Sequence, residues 1–322
     1  MAEDFTWRDG GRVVRFGSGV AAEAPDLVDD DFLLLTTERA ASALPALTEA
    51  AAGVVHVPPG RVDEISADLL GDVSAGASLV ALGGGRVIDT AKAVAGALGS
   101  RVAAIPTTLS GAELTPFHRT PAGVEGARLV SPALVIADPD LMASAPPATL
   151  AATAMNALAH AMEALYTPLA NPVTTMTALR AAALLAQGMT SDPPDREALA
   201  LGAVLAGYSS GCTGIAVHHA ICQTIVRTAD TPHAETNAVM LPHSARLMVD
   251  RAPGALSSFT EALGTDLGQL AARCGHTRLS TLGVGEEQLP GLATAVAAHP
   301  LLANTPDPPD EAELLSLLRD AL

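Results

Sequence analysis

Positive charge is scarce in this chain of 322 residues: 18 Lys and Arg stand against 35 Asp and Glu, for a formal charge of −17. That balance argues against nucleic acid or an anionic membrane surface as partner, since both need a positive face. It leaves room for small anionic ligands, which need only a few local donors. Lysine is nearly absent. Of the 18 basic residues only Lys92 is Lys, a bias that suits a GC-rich genome and draws attention to the one that remains. Cysteine is also rare. Cys212, Cys222 and Cys274 are too few and too scattered for a disulfide framework or a Cys-based zinc site, and they suit a reducing cytosol. Cys222 is assigned to the core. No uninterrupted apolar run reaches about 18 residues, so no bilayer span is expected. The opening MAEDFTWRDGG is too acidic and polar for a secretory signal, and the expectation is a cytoplasmic protein. Charged residues make up only 16% and apolar ones 49%, against the composition of a disordered chain. At about 150 residues per domain the length suits two domains.

The first half alternates short apolar runs with helical patterns. DFLLLTT (31–37), GVVHV (53–57), SLVALGG (78–84), RVAAIPTT (101–108) and ALVIADP (133–139) read as strands, with helices near 40–51 and 86–98. Unbroken Leu, Val and Ile suit strands buried on both faces of a parallel sheet. After about residue 146 strand signals vanish and Ala/Leu-rich helices follow, punctuated by TPLANP (167–172) and SDPPD (191–195). The expected architecture is an α/β domain over 1–145 and an all-helical domain over 146–322. Asp310 is expected to cap a last helix.

Two stretches carry candidate chemistry. In SLVALGGGRVIDTAKAVAGAL (78–98), Gly83, Gly84 and Gly85 lie where a strand end meets a helix start. Backbone N–H groups and the helix dipole there suit a phosphate, although a tight turn needing glycine explains the same residues. Val87, Ala91, Val94 and Leu98 make the buried stripe, leaving Asp89 and Lys92 on neighbouring faces. The run is not the G-x-G-x-x-G fingerprint. In the second half, Asn156 and His160 are four apart and share a helix face. His218, His219, His233 and His243 follow in two compact stretches. Such a set can converge on a metal or an anionic substrate, or remain a set of hydrogen-bonded core histidines.

GGGRVIDTAKA, IPTTLSGAELTP (105–116), DPDLMASAPPATLAATAMNALAHAMEALYTPLANP (138–172) and HHAICQTIVRTADTPHAETNAVMLPH (218–243) together resemble the iron-containing alcohol dehydrogenase superfamily, and within it the maleylacetate reductases. The opening FTWRDGGRVVRFGSG and the late AHPLLANTPDP fit that branch, so the resemblance spans nearly the whole chain. It implies an α/β nucleotide-binding domain and an all-α domain, as in the related dehydroquinate synthase-like fold, with the active site in the cleft between them. It also implies a homodimer. By the same resemblance Gly83, Gly84, Gly85, Asp89 and Lys92 form the pyrophosphate loop of NADH or NADPH, and Thr107, Thr108 and Leu114 line the nucleotide. Asn156, His160, His219 and His233 match the Asp and three His that bind the ion in metal-dependent members.

An amide at 156 supplies only a neutral oxygen, which points to a metal-free site whose histidines serve substrate carboxylates or a proton. The resemblance thus implies a metal-independent NAD(P)H-dependent reductase of maleylacetate or a related oxo-acid. A metal-dependent alcohol dehydrogenase, with the same four residues as ligands, is one alternative. A redox-neutral lyase, cyclase or isomerase is the other, motivated by departures from the family pattern. Ala220 replaces a Lys, Gln223 a His, Arg86 a Ser and Ala112 a Ser, while Val226 and Arg227 replace glycines. Arg86, Arg227 or His218 are candidates to restore the lost charge. Thr37, at the end of the strand that meets the adenosine ribose, excludes neither nucleotide.

Overall fold

A computed structural model describes residues 4–322, and the chain divides into two compact units after Ser144. The first holds strands β1 (Phe5–Asp9), β2 (Arg12–Phe16), β3 (Phe32–Thr36), β4 (Gly53–His56), β5 (Ser78–Gly83), β6 (Arg101–Pro106) and β7 (Leu134–Ala137). Its helices are α1 (Ala24–Leu27), α2 (Glu38–Ala43), α3 (Pro45–Ala50), α4 (Val62–Leu69), α5 (Gly85–Leu98) and α6 (Pro139–Met142). The strands form one sheet in the order β1-β2-β7-β6-β5-β3-β4, parallel except for the β1–β2 pair.

The apolar runs explain why this sheet is covered on two sides. Leu35, Leu79 and Ala81 pack against Val87, Ile88, Ala91 and Val94 of α5. Leu34, Val80 and Leu82 point the other way, into a core with Ala24, Ala40 and Leu47 from α1, α2 and α3. The chain leaves β3 for β4 on one side, then crosses to β5 on the other. This reversal is a topological switch point, and in open α/β sheets the crevice beyond the strand ends there receives the ligand.

Three local features depart from the sequence reading. The β1–β2 hairpin was not anticipated, although Gly10-Gly11 between two alternating runs is a two-residue turn signal; Gly10 sits at φ +56°. The helix expected near 40–51 is two short ones, broken at Leu44 because Pro45 disfavours helical backbone before it. Lys92, expected on a face beside the loop, is fully buried.

The second unit contains α7 (Pro147–Glu163), α8 (Pro172–Thr190), α9 (Arg196–Thr213), α10 (Val217–Ala229), α11 (His233–Met248), α12 (Pro253–Leu263), α13 (Leu267–Ala272), α14 (Leu289–Ala297) and α15 (Glu311–Ala321), with no strand among the described residues. Asn171, Asp195 and Asp310 cap α8, α9 and α15 with side-chain oxygens, so the polar breaks in the sequence are helix starts. Cys222 is buried in α10. No single described helix is long and apolar enough to cross a membrane.

Candidate active site

The glycine run lies at the switch point. Gly83 ends β5, Gly84 is the N-cap of α5, and no side chain caps the first turn of that helix. The backbone N–H groups of a 14-residue helix are therefore presented at a strand end, the arrangement that suits a pyrophosphate. The glycines are also required by packing. A Cβ on Gly83 would lie 2.7 Å from Val87, and one on Gly84 would lie 3.0 Å from the Thr108 methyl group. Thr107 N–H donates to the Gly83 carbonyl at 3.0 Å, so the segment after β6 lies directly against the loop. Thr107 and Thr108 are half-buried, whereas Leu114 is a core side chain. Thr37 spends its hydroxyl as the cap of α2, accepting from Ala40 N–H.

Lys92 does something other than reach outward. Its ammonium donates to Asp89 Oδ1 at 2.8 Å, to the Ala112 carbonyl at 2.9 Å and to the Phe117 carbonyl at 2.7 Å. Three acceptors exhaust its three donors. The lysine and Asp89 thus hold the 112–117 strap against α5, and no donor is left for a phosphate. Beside them Glu113 is fully buried with neither carboxylate oxygen hydrogen-bonded. Burial pushes its carboxyl up to about 7, against the opposing influence of Lys92 and Arg12. Sequence reading passed over Glu113.

The second unit gathers a histidine cluster. Asn156, His160 and Glu163 follow at helical spacing along α7 and are all buried. The rings of His160 and His219 stack at 4.4 Å, and His218 meets His219 edge-on at 5.2 Å. Glu163 Oε2 lies 2.5 Å from His219 Nδ1, and Oε1 accepts the backbone N–H groups of His218 (2.7 Å) and His219 (3.3 Å). Burial lowers His219 to about 3, with the nearby His233 adding to the shift. It drives His160 well below the usual range, reinforced by His219. At neutral pH these rings are therefore neutral. Tyr166, buried beside Glu163, is pushed well above its usual range by burial and then by that negative charge.

His233 opens α11 on an exposed face, near enough for its charge to act on His160 and His219. His243 stands apart, beside Arg246 and Asp320. His218 is a core histidine: Nδ1 bonds Ser244 Oγ at 2.7 Å and Nε2 bonds Asn237 Oδ1 at 2.9 Å. Asn237 Nδ2 donates to the His233 carbonyl, which turns its oxygen toward the ring and makes Nε2 the donor. With both nitrogens engaged and its pKa near 3, His218 restores no charge to the cluster. Arg86 and Arg227 are exposed, Ala220 is buried and Gln223 half-buried. The residue that sequence reading missed here is Glu163; its spacing of three from His160 and seven from Asn156 was the available signal.

Among the described residues, no group of three or more His, Cys, Asp or Glu is arranged to hold a metal ion. Position 156 offers a neutral amide, and the one carboxylate within the cluster faces two backbone N–H groups and the His219 ring, so the set brings no free anionic ligand.

Comparison with known proteins places the chain. The description "Fe-containing alcohol dehydrogenase family, C-terminal" matches residues 150–322, and "Iron-containing alcohol dehydrogenase" matches residues 45–146. Maleylacetate reductase from Sphingobium indicum is 33% identical over 96% of this chain and 95% of its own length. Maleylacetate reductase 1 from Rhodococcus opacus is 34% identical over 90% of this chain and 82% of its own. The crystal structure of maleylacetate reductase from Agrobacterium tumefaciens superposes with a TM-score of 0.86 at 30% identity, covering 100% of this chain and 99% of that one. The glycine loop and the histidine cluster thus both sit in a chain matched along nearly its whole length, and the protein belongs to the iron-containing alcohol dehydrogenase family as an NAD(P)H-dependent oxidoreductase.

Proposed function

We propose that this protein reduces maleylacetate or a closely related unsaturated oxo-acid, and does so without a metal. Bound NADH or NADPH supplies a hydride to a C=C bond conjugated with a ketone and a carboxylate. Negative charge then develops on the ketone oxygen, and a proton added to the neighbouring carbon gives a 3-oxoadipate-like product. The chain's own residues have three tasks: to bind a dicarboxylate, to accept the developing charge and to pass on a proton.

The observation that carries this reading is a buried cluster of neutral imidazoles with an amide at 156. A neutral amide adds no charge to repel a dianion, where an aspartate would. His160 and His219 lie stacked and buried, and His233 stands at an exposed helix start beside them. The similarity to maleylacetate reductases over nearly the whole chain supports the same substrate class.

The test is steady-state oxidation of NADH and NADPH by purified protein with maleylacetate, alongside simple aldehydes and alcohols. Maleylacetate is expected to be turned over in the presence of a chelator, by protein without stoichiometric metal. Turnover of aldehydes alone would overturn the substrate. Activity lost to the chelator and restored by a divalent ion would overturn the metal independence. Nucleotide binding without oxidation by any oxo-acid would favour redox-neutral chemistry.

A further inference from the structure

Glu163 stands at a costly position. It is the last residue of α7, where the negative end of the helix dipole disfavours a carboxylate, and it is fully buried. Both costs are offset at one place. The start of α10 faces it, and the Ala216 N-cap provides no side-chain acceptor for the first turn of that helix. Glu163 Oε1 takes the backbone N–H groups of the second and third residues of α10, and so caps it from another helix. That leaves Oε2 for the His219 ring.

Burial raises the Glu163 carboxyl, and the neighbouring imidazoles and backbone N–H groups oppose that shift. As a carboxylate Glu163 accepts through both oxygens, and the imidazole nitrogen facing Oε2 then carries the hydrogen. Neutral His219 has one N–H, and Glu163 consumes it at Nδ1. The opposite nitrogen, Nε2, is buried and has no protein hydrogen-bond partner. We propose that Glu163 is a positioning residue: its carboxylate fixes the Nδ1–H tautomer and the orientation of His219, so that Nε2 presents a lone pair to the bound substrate. His219 is then the acceptor of the cluster: Nε2 can take a hydrogen bond or a proton but cannot donate to a substrate carboxylate. Donation to substrate carboxylates falls to its neighbours, among which His160 has its Nδ1 buried without a partner. The logic is that of a carboxylate that orients a histidine through one ring nitrogen to ready the other. The proposal rests on the reductase reading only for the identity of the substrate.

The first measurement is the ¹⁵N spectrum of the histidine rings in the wild-type protein, with His219 assigned by comparison with His219→Gln. A protonated Nδ1 and an unprotonated Nε2 are expected; a proton on Nε2 of neutral His219 overturns the proposal. In Glu163→Gln the carbonyl serves the two backbone N–H groups, and the amide NH₂ faces the ring. Nδ1 then becomes an acceptor and the tautomer reverses. With it kcat should fall about 10- to 100-fold, while KM for the nucleotide, held by the other unit, stays the same. A folded variant with an unchanged ring spectrum and unchanged kcat would equally refute the role. If the variant does not fold, the wild-type spectrum alone decides. The ring spectrum is read without turnover, so a failure of the substrate assignment remains distinguishable from a failure of this one.

Discussion

Replacement of Lys92 by methionine is expected to lower the stability of the first unit by about 3–5 kcal/mol, the range for breaking a buried, hydrogen-bonded charge pair, and to weaken nucleotide binding with it. Methionine keeps most of the length and volume of lysine but offers no donor. Two backbone carbonyls, from Ala112 and Phe117, and the Asp89 carboxylate would each lose a buried partner. The strap those carbonyls belong to continues from Thr107, Thr108 and Ser110, which contact the glycine loop. Loss of the ammonium therefore loosens the surface against which the loop is set. Arginine would not rescue the variant, because its planar fork is larger and cannot reproduce three convergent bonds from one nitrogen. Urea unfolding monitored by circular dichroism, paired with calorimetric titration of NADH, gives both readouts. A loss below about 1 kcal/mol, within the range of an exposed ion pair, would show that the strap is held by other contacts.

What the sequence displayed and what it concealed divide along the line of burial. Strands β3, β5, β6 and β7 were visible because a largely buried strand must be apolar along its length, and LLL in β3 or LVAL in β5 cannot be solvated, whereas the edge strand β4 alternates half-buried and exposed residues and showed only through its valines. The β1–β2 hairpin escaped notice because β1 alternates half-buried and exposed residues such as Thr6 and Arg8, so its pattern is weak. The glycine loop was legible as strand, turn and helix, and its place at a switch point needed the strand order. Lys92 drew attention as the only lysine, yet a formal charge gives no hint that its ammonium would lie fully buried among carbonyls. Glu163 and Glu113 were invisible for the same reason. A glutamate in sequence reads as a solvated side chain, and only the fold shows that both are buried. For Glu163 the spacing to His160 offered a clue, whereas nothing around Glu113 distinguished it. His218 and His219 look alike side by side, and their roles part only because α10 turns one toward Ser244 and Asn237 and the other toward Glu163.

Glu113 yields the clearest pH dependence. Its carboxyl titrates at about 7 in the folded protein, raised by burial, and the charged groups acting on it are Lys92, Asp89 and Arg12. In the unfolded chain a glutamate titrates near 4.3. Between those values the folded state binds the extra proton. Stability contributed by the neutral carboxyl is therefore complete below about pH 4.3 and is lost as pH rises through about 7. A difference of roughly 2.7 units corresponds to on the order of 3–4 kcal/mol. Glu113→Gln retains the shape and never ionises, so it should be more stable than the parent by that order near pH 8. The advantage should shrink steadily toward pH 5, as the parent itself becomes neutral at this position. Urea midpoints of both proteins across that range measure the difference directly. Two parallel curves would mean that the Glu113 proton is not coupled to folding, and a variant less stable at every pH would mean that its charge is satisfied by a partner. The expected curves converge at low pH and part above it, because the cost arises from an ionised carboxylate with neither oxygen hydrogen-bonded inside the first unit.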